Sequence, residues 1–197
     1  IPKVSTLNIY ASYQSALYSG SSVSIYGDLH SIPLTVNFPY EIYVGSLSNV
    51  SGLTFNNLWG VPNSGERIVR LNNDIDSVGS INFSQSRVEV IGLGIKIKAE
   101  SGDLLSNYLI YPREINHSFT MEATAGTVSI NQREIQDASF GAVTLTGQLL
   151  AVTGGSGLGL QATSITGTAT ASQATLTPYY KAQIVSLTGV GINVTDD

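Results

Sequence analysis

The feature that most constrains this chain is a two-residue alternation of apolar and polar side chains that recurs along most of its length. In residues 4–18, one parity carries Leu7, Ile9, Ala11, Tyr13 and Leu17, whereas the other parity is mostly polar. An extended strand separates side chains in this way because successive residues point to opposite faces. The alternation therefore predicts a long β-strand near the N-terminus.

Similar patterns continue to the end of the chain. Further predicted strands cover residues 23–26, 34–44, 67–71, 78–83, 87–98, 104–111, 119–123, 127–130, 142–150, 160–170, 174–176 and 181–194. A helical pattern is almost absent, and the one segment that could form one or two helical turns is 132–139.

Turn-forming residues separate many of these segments. They occur at 62–65, 72–74, 101–103 and 154–157. We expect residues 101–103 to close a hairpin between two apolar segments. The apolar parity changes within residues 87–98, and we expect a β-bulge near residues 91–92 to accommodate the change.

Many short strands at regular spacing predict an all-β protein, specifically a Greek-key β-sandwich of the immunoglobulin-like or pilin-like kind. No segment resembles an interdomain linker. We therefore expect one β-sandwich body over residues 20–197. It would be preceded by a separate N-terminal strand segment, residues 1–19.

Composition excludes several classes of function. Nine Lys and Arg residues in 197, with a net charge of −5, do not supply the basic face that a nucleic-acid binder needs. No apolar run approaches the roughly 18 residues of a membrane-spanning helix. The chain has no cysteine, which excludes disulfides, thiol chemistry and cysteine zinc sites.

The balance of polar residues suggests an extracellular protein. The chain contains 25 serines and 17 threonines but 23 charged side chains, so little of its surface depends on ionisation. The first residue is Ile1 rather than Met. We expect an exported chain whose N-terminal signal has been removed.

Catalytic chemistry finds little support in the sequence. His30 and His117 stand without a neighbouring histidine or compact carboxylate cluster, and we expect both at the surface or at a strand edge. Asp74 and Asp76 resemble the start of a calcium loop that is not completed, and turn carboxylates explain them better. A Ser-His-Asp site assembled from distant positions stays open. We expect no enzyme activity, no metal and no cofactor.

Four Asn-x-Ser/Thr sequons are candidate N-glycosylation sites, with acceptors Asn49, Asn82, Asn116 and Asn193. The chain has 13 asparagines and many hydroxyl residues, so about three sequons would arise by chance. Four is therefore not an enrichment. In an exported chain we expect at least two of them to carry N-glycans, which would add solubility.

The N-terminal segment permits two interpretations. It could be an ordinary first strand that pairs within its own body. Alternatively, it could be a donor strand that leaves its own body and completes the sheet of the next copy, with residues 20–22 as a hinge. Burying Leu7, Ile9, Ala11 and Tyr13 would contribute roughly 6–10 kcal/mol before ordering costs. Such head-to-tail contacts need not close and would produce a fibre.

The processed N-terminal strand, the Ser/Thr/Gly-rich all-β character, the absence of cysteine and the sequons together resemble the archaeal thread filament subunits, which are type I pilin-like pilus proteins. This resemblance implies N-glycans and head-to-tail linkage by donor strand complementation. It also implies a donor strand built on Leu7, Ile9, Ala11, Tyr13 and Leu17. Bacterial pilins usually contain a disulfide, so the likeness to that group is architectural at most.

We therefore expect a structural subunit of an extracellular filament that serves adhesion or cell–cell contact, with copies of itself as its partners. An alternative is a secreted carbohydrate-binding or hydrolytic β-sandwich. Its sugar platform would come from Tyr10, Tyr13, Tyr18, Tyr26, Tyr40, Tyr43 and Trp59. A surface-layer or viral coat component, with lateral contacts, is a third possibility.

Overall fold

The computed structural model describes most of the middle of the chain and short segments towards both ends. The described residues are 7–10, 21–23, 33–38, 41–44, 47–57, 68–110, 117–133, 140–154, 160, 162–170, 174–176, 184–188 and 193–194. Secondary structure within these ranges consists of β-strands joined by turns.

The strands are numbered in chain order. They are β1 (Leu7–Tyr10), β2 (Ser21–Val23), β3 (Pro33–Phe38), β4 (Glu41–Val44), β5 (Leu47–Val50), β6 (Gly52–Asn57), β7 (Ile68–Leu71), β8 (Ile75–Ser77), β9 (Ile81–Asn82), β10 (Arg87–Val90), β11 (Ile95–Ala99), β12 (Leu104–Ser106), β13 (Tyr108–Ile110), β14 (Phe119–Gln132), β15 (Phe140–Gly154), β16 (Ala162–Ala169), β17 (Ala174–Leu176), β18 (Ile184–Thr188) and β19 (Asn193–Val194).

Every pairing between these described strands is parallel. Each pairing joins strands of neighbouring coils. The paired strands are separated by at least one other strand in the sequence, except for the consecutive pairs β14–β15 and β15–β16. The chain thus winds as a parallel β-solenoid, with about four turns between β2 and β13.

Three columns of stacked strands make up the solenoid. Column 1 contains β1, β3, β6, β9, β12, the second halves of β14 and β15, β17 and β19. Column 2 contains β5, β8, β11, the first halves of β14 and β15, β16 and β18. Column 3 is a separate five-stranded sheet in the order β13-β10-β7-β4-β2. Columns 1 and 2 form one 14-stranded sheet because β14 and β15 run through both.

Apolar side chains of one parity face the interior in the strands whose side chains the structure describes. In column 2, Ile75, Ile97, Met121 and Leu145 occupy the same register position on successive coils, and all four are buried. Because they hold one register position on successive coils, these side chains stack into a continuous core. Burying such side chains is the main favourable contribution to folding.

Two aromatic pairs lie in this core. The rings of Phe55 and Phe83 stack with centroids 5.2 Å apart. Phe119 and Phe140 meet edge to face at 4.8 Å. Both distances lie within the range in which aromatic pairs attract beyond simple burial.

Aspartates at two corners hold neighbouring coils together. The backbone N–H of Lys96 donates to Asp74 Oδ1 at 2.8 Å, and the backbone N–H of Thr127 donates to Asp103 Oδ1 at 2.8 Å. Each carboxylate therefore bonds a residue one coil further along. Asp74 is thus a turn carboxylate as predicted, whereas Asp76, for which the same was expected, lies within β8.

The all-β prediction is confirmed, but the Greek-key sandwich is wrong. A sandwich of that kind pairs antiparallel strands, whereas the described strands pair in parallel and coil around one core. Alternation does not distinguish a sandwich from a solenoid, because any strand with one buried face shows it, whichever strand it pairs with. A sandwich completed by a donated strand therefore has no counterpart in this architecture.

Two local predictions fail for the same reason. Residues 101–103 form a corner between β11 and β12 instead of closing a hairpin, since these strands lie in different columns. Residues 91–94 likewise form a corner between columns 3 and 2, and not a bulge within one strand. Gly94 has a φ of 64° there, a conformation that glycine adopts without steric cost. Residues 72–74 are a turn as predicted, and residues 134–139 lie outside the described residues.

Within the described ranges, the structure contains no helix that is long and apolar enough to cross a membrane.

Candidate functional site at the ends of column 1

The N-terminal end of column 1 is formed by β1. Its four residues pair in parallel with β3 of the same chain, and Leu7 and Ile9 stand opposite Leu34 and Val36. Both of these partners are buried. The apolar parity predicted for the N-terminal strand thus coincides with the core-facing parity of column 1.

The remaining residues of the predicted donor strand, Ala11, Tyr13 and Leu17, lie outside the described residues. Their contacts, and the boundary at residue 19, stay predictions. The pairing of β1 with its own β3 corresponds to the first of the two interpretations of this segment. It leaves the other edge of β1 without a neighbour among the described strands.

The C-terminal end of column 1 is formed by β19, which pairs in parallel with β17. Sequence reasoning missed this edge because residues 181–194 were predicted as a single strand. In the structure β18 belongs to column 2 and β19 to column 1, so they are two strands. Among the described strands, β19 too has a neighbour on one side only.

The groups through which this site can bind a partner are the backbone N–H and C=O groups along the two strand edges. An edge strand offers a row of these groups to another extended segment, whatever the side chains are. The two edges lie at opposite ends of column 1. Each of them can therefore pair with a further strand that runs parallel to the column.

The predicted glycan acceptors fall in different places. Asn49 lies in β5, Asn82 in β9 and Asn193 in β19, while Asn116 lies outside the described residues. Asn82 is half-buried, and its Oδ1 accepts a hydrogen bond from the backbone N–H of Ser84 at 2.8 Å. This Asx turn uses the oxygen of the amide and leaves its nitrogen, the atom that would be glycosylated, outside that bond.

Charged residues gather on the outward face of column 2. Asp76, Lys98 and Glu122 occupy one register position on three successive coils. Lys96 Nζ lies 2.9 Å from Glu122 Oε2. The hydrogen bond from Lys96, assisted by the charges of Lys96 and Lys98, lowers the pKa of Glu122 below its ordinary value, and partial burial opposes this shift.

Further along column 2 the outward face changes from charge to hydroxyl. Thr120, Thr144 and Thr166 share one register position, and Thr146 and Thr168 share the next outward position. These five side chains are half-buried or exposed. Hydroxyls and methyl groups thus form the polar surface that the Ser/Thr-rich composition predicted.

Buried polar atoms without a hydrogen-bond partner among the described residues include Asp76 Oδ1, Ser106 Oγ and His117 Nδ1. His117 is 5% exposed, so the expectation of a surface or edge histidine is wrong. Its position has the parity of Phe119, which faces the core. Asp76 stands in column 2 and Ser106 in column 1, and no contact among the described residues joins them to His117 as a catalytic set.

The described residues contain no group of three or more His, Cys, Asp or Glu side chains that could hold a metal ion. Two members of the aromatic platform of the carbohydrate alternative lie in described strands. Tyr10 and Tyr43 lie in β1 and β4, and the remaining members, Tyr13, Tyr18, Tyr26, Tyr40 and Trp59, lie outside the described residues.

Comparison with protein-family models, with curated proteins and with solved structures finds no match to this chain.

Proposed function

We propose that this chain is a non-enzymatic structural subunit of an extracellular filament that serves adhesion or cell–cell contact. Copies of the chain associate head to tail, and the N-terminal segment of residues 1–19 takes part in the contact. The chain is exported, and N-glycans coat the outside of the filament.

The observation that carries this proposal is that column 1 ends in an open strand edge on both sides, at β1 and at β19, within the described strands. Open edges of parallel strands are templates for pairing with another chain. The two ends are different surfaces, so contact between them is heterologous. Repeating such a contact produces an open linear assembly and not a closed dimer.

The N-terminal segment is suited to this role because β1 is paired along one edge only within the described strands. Four residues of β1 pair with β3, and the segment before residue 21 contributes no other described strand. A strand held along one edge can use its second edge for another copy. In a solenoid the segment would extend a sheet, a different use from filling a gap in a sandwich.

The outward surface is also compatible with a fibre exposed to the environment. Hydroxyl residues occupy the outward positions of β14, β15 and β16, where Thr144 and Thr166 lie in register. A surface of this kind stays polar when carboxylates are protonated. Glycans at the sequons would add to that polarity.

Electron microscopy of the purified protein, full-length and lacking residues 1–19, tests the proposal. We expect filaments from the full-length chain and monomers from the truncated chain, and we expect a synthetic peptide of residues 1–19 to bind the truncated body. Leu93→Ala is a matched control, since Leu93 is 73% exposed in a corner far from either end of column 1 in the strand order. Its filaments should be normal. Filaments from the truncated chain would exclude the segment as the contact, and a full-length chain that stays monomeric would overturn the proposed function.

A further inference from the structure

We infer that the outer edge of β1 in one copy pairs in parallel with the outer edge of β19 in the next copy, so that column 1 continues across the subunit boundary. This inference rests on the proposed head-to-tail assembly. It specifies which two strand edges meet and the register in which they pair.

The register follows from the pairings along column 1. One outward position is occupied in turn by Asn8, Thr35, Thr54, Asn82, Leu105, Ser129, Ala151, Thr175 and Asn193. Asn8 and Asn193 therefore hold the same position at the two ends of the column. When one copy follows another along this column, Asn8 becomes the next occupant after Asn193.

The core-facing positions agree with this register. Ile9 follows Asn8 and stands opposite Val36, which is buried. Val194 follows Asn193 and stands opposite Leu176, which in turn stands opposite the buried Val152. Both ends thus present an apolar residue at the position that continues the core.

A different register would be unfavourable. Asn8 stands opposite Thr35 within its own copy, so a slip by one residue between copies would set Asn8 beside the core-facing position of Val194. Because side chains alternate with a period of two, the apolar row of column 1 would then be broken at the subunit boundary, and apolar side chains would be left outside the shared core. The apolar residues at both ends therefore select the Asn8–Asn193 register over its one-residue neighbours.

The direction of the strands and the symmetry of the contact are also consistent with this pairing. All pairings in column 1 are parallel, so an added copy keeps the chain direction of the column. The two edges lie at opposite ends of one sheet, and one copy can therefore use both at once. The resulting contact is head to tail and repeats without closing.

A disulfide test uses the absence of cysteine from the chain. We expect the double variant Asn8→Cys/Asn193→Cys to form intermolecular disulfides, because neighbouring parallel strands lie about 4.8 Å apart and disulfides bridge Cα atoms about 4.4–6.8 Å apart. Oxidation should give a ladder of trimers and larger species on a non-reducing gel, and reduction should return monomers.

Thr35→Cys/Asn193→Cys is the matched control. Thr35 has the same register position as Asn8 but lies one strand further from the edge, which doubles its distance from Asn193 of the next copy to about 10 Å. We expect no ladder. Each single variant, N8C or N193C, should also give no ladder. A dimer as the main oxidised product of a single variant would indicate a symmetric contact and would overturn the inference.

A second pair of variants tests the register without cysteines. Val194→Asp places a carboxylate at the core-facing position and should abolish filaments, whereas Asn193→Asp places it at the outward position and should leave them. Circular dichroism of both monomers should match that of the original chain.

The two proposals fail in different ways. Filaments that form normally without disulfide ladders in N8C/N193C, and that survive Val194→Asp, would exclude the β1–β19 contact and leave the filament function standing. A full-length chain that stays monomeric would overturn the filament function itself.

Discussion

Lys96 Nζ lies 2.9 Å from Glu122 Oε2, and the two residues belong to neighbouring parallel strands of column 2. The contact lowers the pKa of Glu122 below its ordinary value of 4.5. A carboxyl whose pKa is lower in the folded state stabilises the fold at pH values above its unfolded-state pKa. That contribution is lost as the pH falls through the lowered folded-state pKa.

We therefore expect Glu122→Gln to reduce the loss of stability that occurs on acidification below about pH 5. Near neutral pH the variant should be less stable by about 0.2–1 kcal/mol, because half of the Lys96 side chain is in solvent and the pair is screened. Urea unfolding at a series of pH values between 7 and 2 measures both quantities.

Lys96→Met is the complementary variant. It removes the ion-pair partner of Glu122. The loss of stability on acidification should then be close to that of Glu122→Gln. If either variant keeps the full acid dependence of the original chain, the Lys96–Glu122 pair does not contribute to it.

The corner at Gly102 should not accept a side chain. An added Cβ there would lie 2.7 Å from the backbone N of Ser80 on the neighbouring coil, and that backbone belongs to a packed corner. We expect Gly102→Ala to destabilise the protein by about 1–3 kcal/mol through overpacking. Thermal or urea unfolding measures the change.

Gly52→Ala is the control for this substitution. Its added Cβ would have Ser80 O as its nearest neighbour, at 3.9 Å, which is an ordinary contact. We expect a change within about 0.5 kcal/mol. Equal losses from both variants would indicate that the close approach at Gly102 has no energetic effect.

The sequence was sufficient to predict strands and the parity that faces the core. Leu34, Val36 and Leu53 are buried as alternation requires, and their outward neighbours Thr35 and Thr54 are half-buried. Local alternation depends on one buried face, so it predicts which side chains point inward even when the fold assignment is wrong.

The solenoid itself could not be predicted from this pattern because alternation does not show which strand pairs with which. A repeat of constant length would have shown it. The coils here vary in length, however, and hydrogen bonds between neighbouring coils join Asn56 to Asn37, 19 residues away, and Ser77 to Val50, 27 residues away. Variation of this size hides the repeat.

A weaker signal was present in the second half of the chain. The bonds Asp103–Thr127 and Ser118–Ala142 each span 24 residues. Residues 24 positions apart in the sequence, such as Ile97, Met121 and Leu145, hold the same register position on successive coils. The sequence predicted a strand over Leu7–Tyr10 but not the separate strand β19, since the place of β19 beside β17 depends on the coil lengths before it.

The stacked rings of Phe55 and Phe83 should be among the largest single contributions to stability. Both residues are fully buried, and their ring centroids lie 5.2 Å apart. We expect Phe83→Ala to cost about 3–5 kcal/mol, since it removes a large buried side chain and leaves a cavity. Leu93→Ala, at an exposed corner, should change stability by less than about 0.5 kcal/mol. A small loss in Phe83→Ala would contradict the packing of this core.

Because Asn82 forms an Asx turn, two substitutions in the same sequon can separate the loss of a glycan from the loss of the turn. Asn82 Oδ1 accepts the backbone N–H of Ser84, and Ser84 supplies the hydroxyl that the sequon requires. Ser84→Ala removes the sequon but keeps the backbone N–H and therefore the turn.

In protein isolated from its native source, we expect Ser84→Ala to lower the intact mass by one glycan, with little change in stability. Asn82→Ala should lower the mass by the same amount and also cost about 0.5–1.5 kcal/mol, because it removes the hydrogen bond. Mass spectrometry and urea unfolding of the two variants measure these effects separately. An intact mass that Ser84→Ala lowers by no more than the missing oxygen would show that Asn82 carries no glycan. Equal stability of the two variants would show that the turn contributes nothing measurable to the fold.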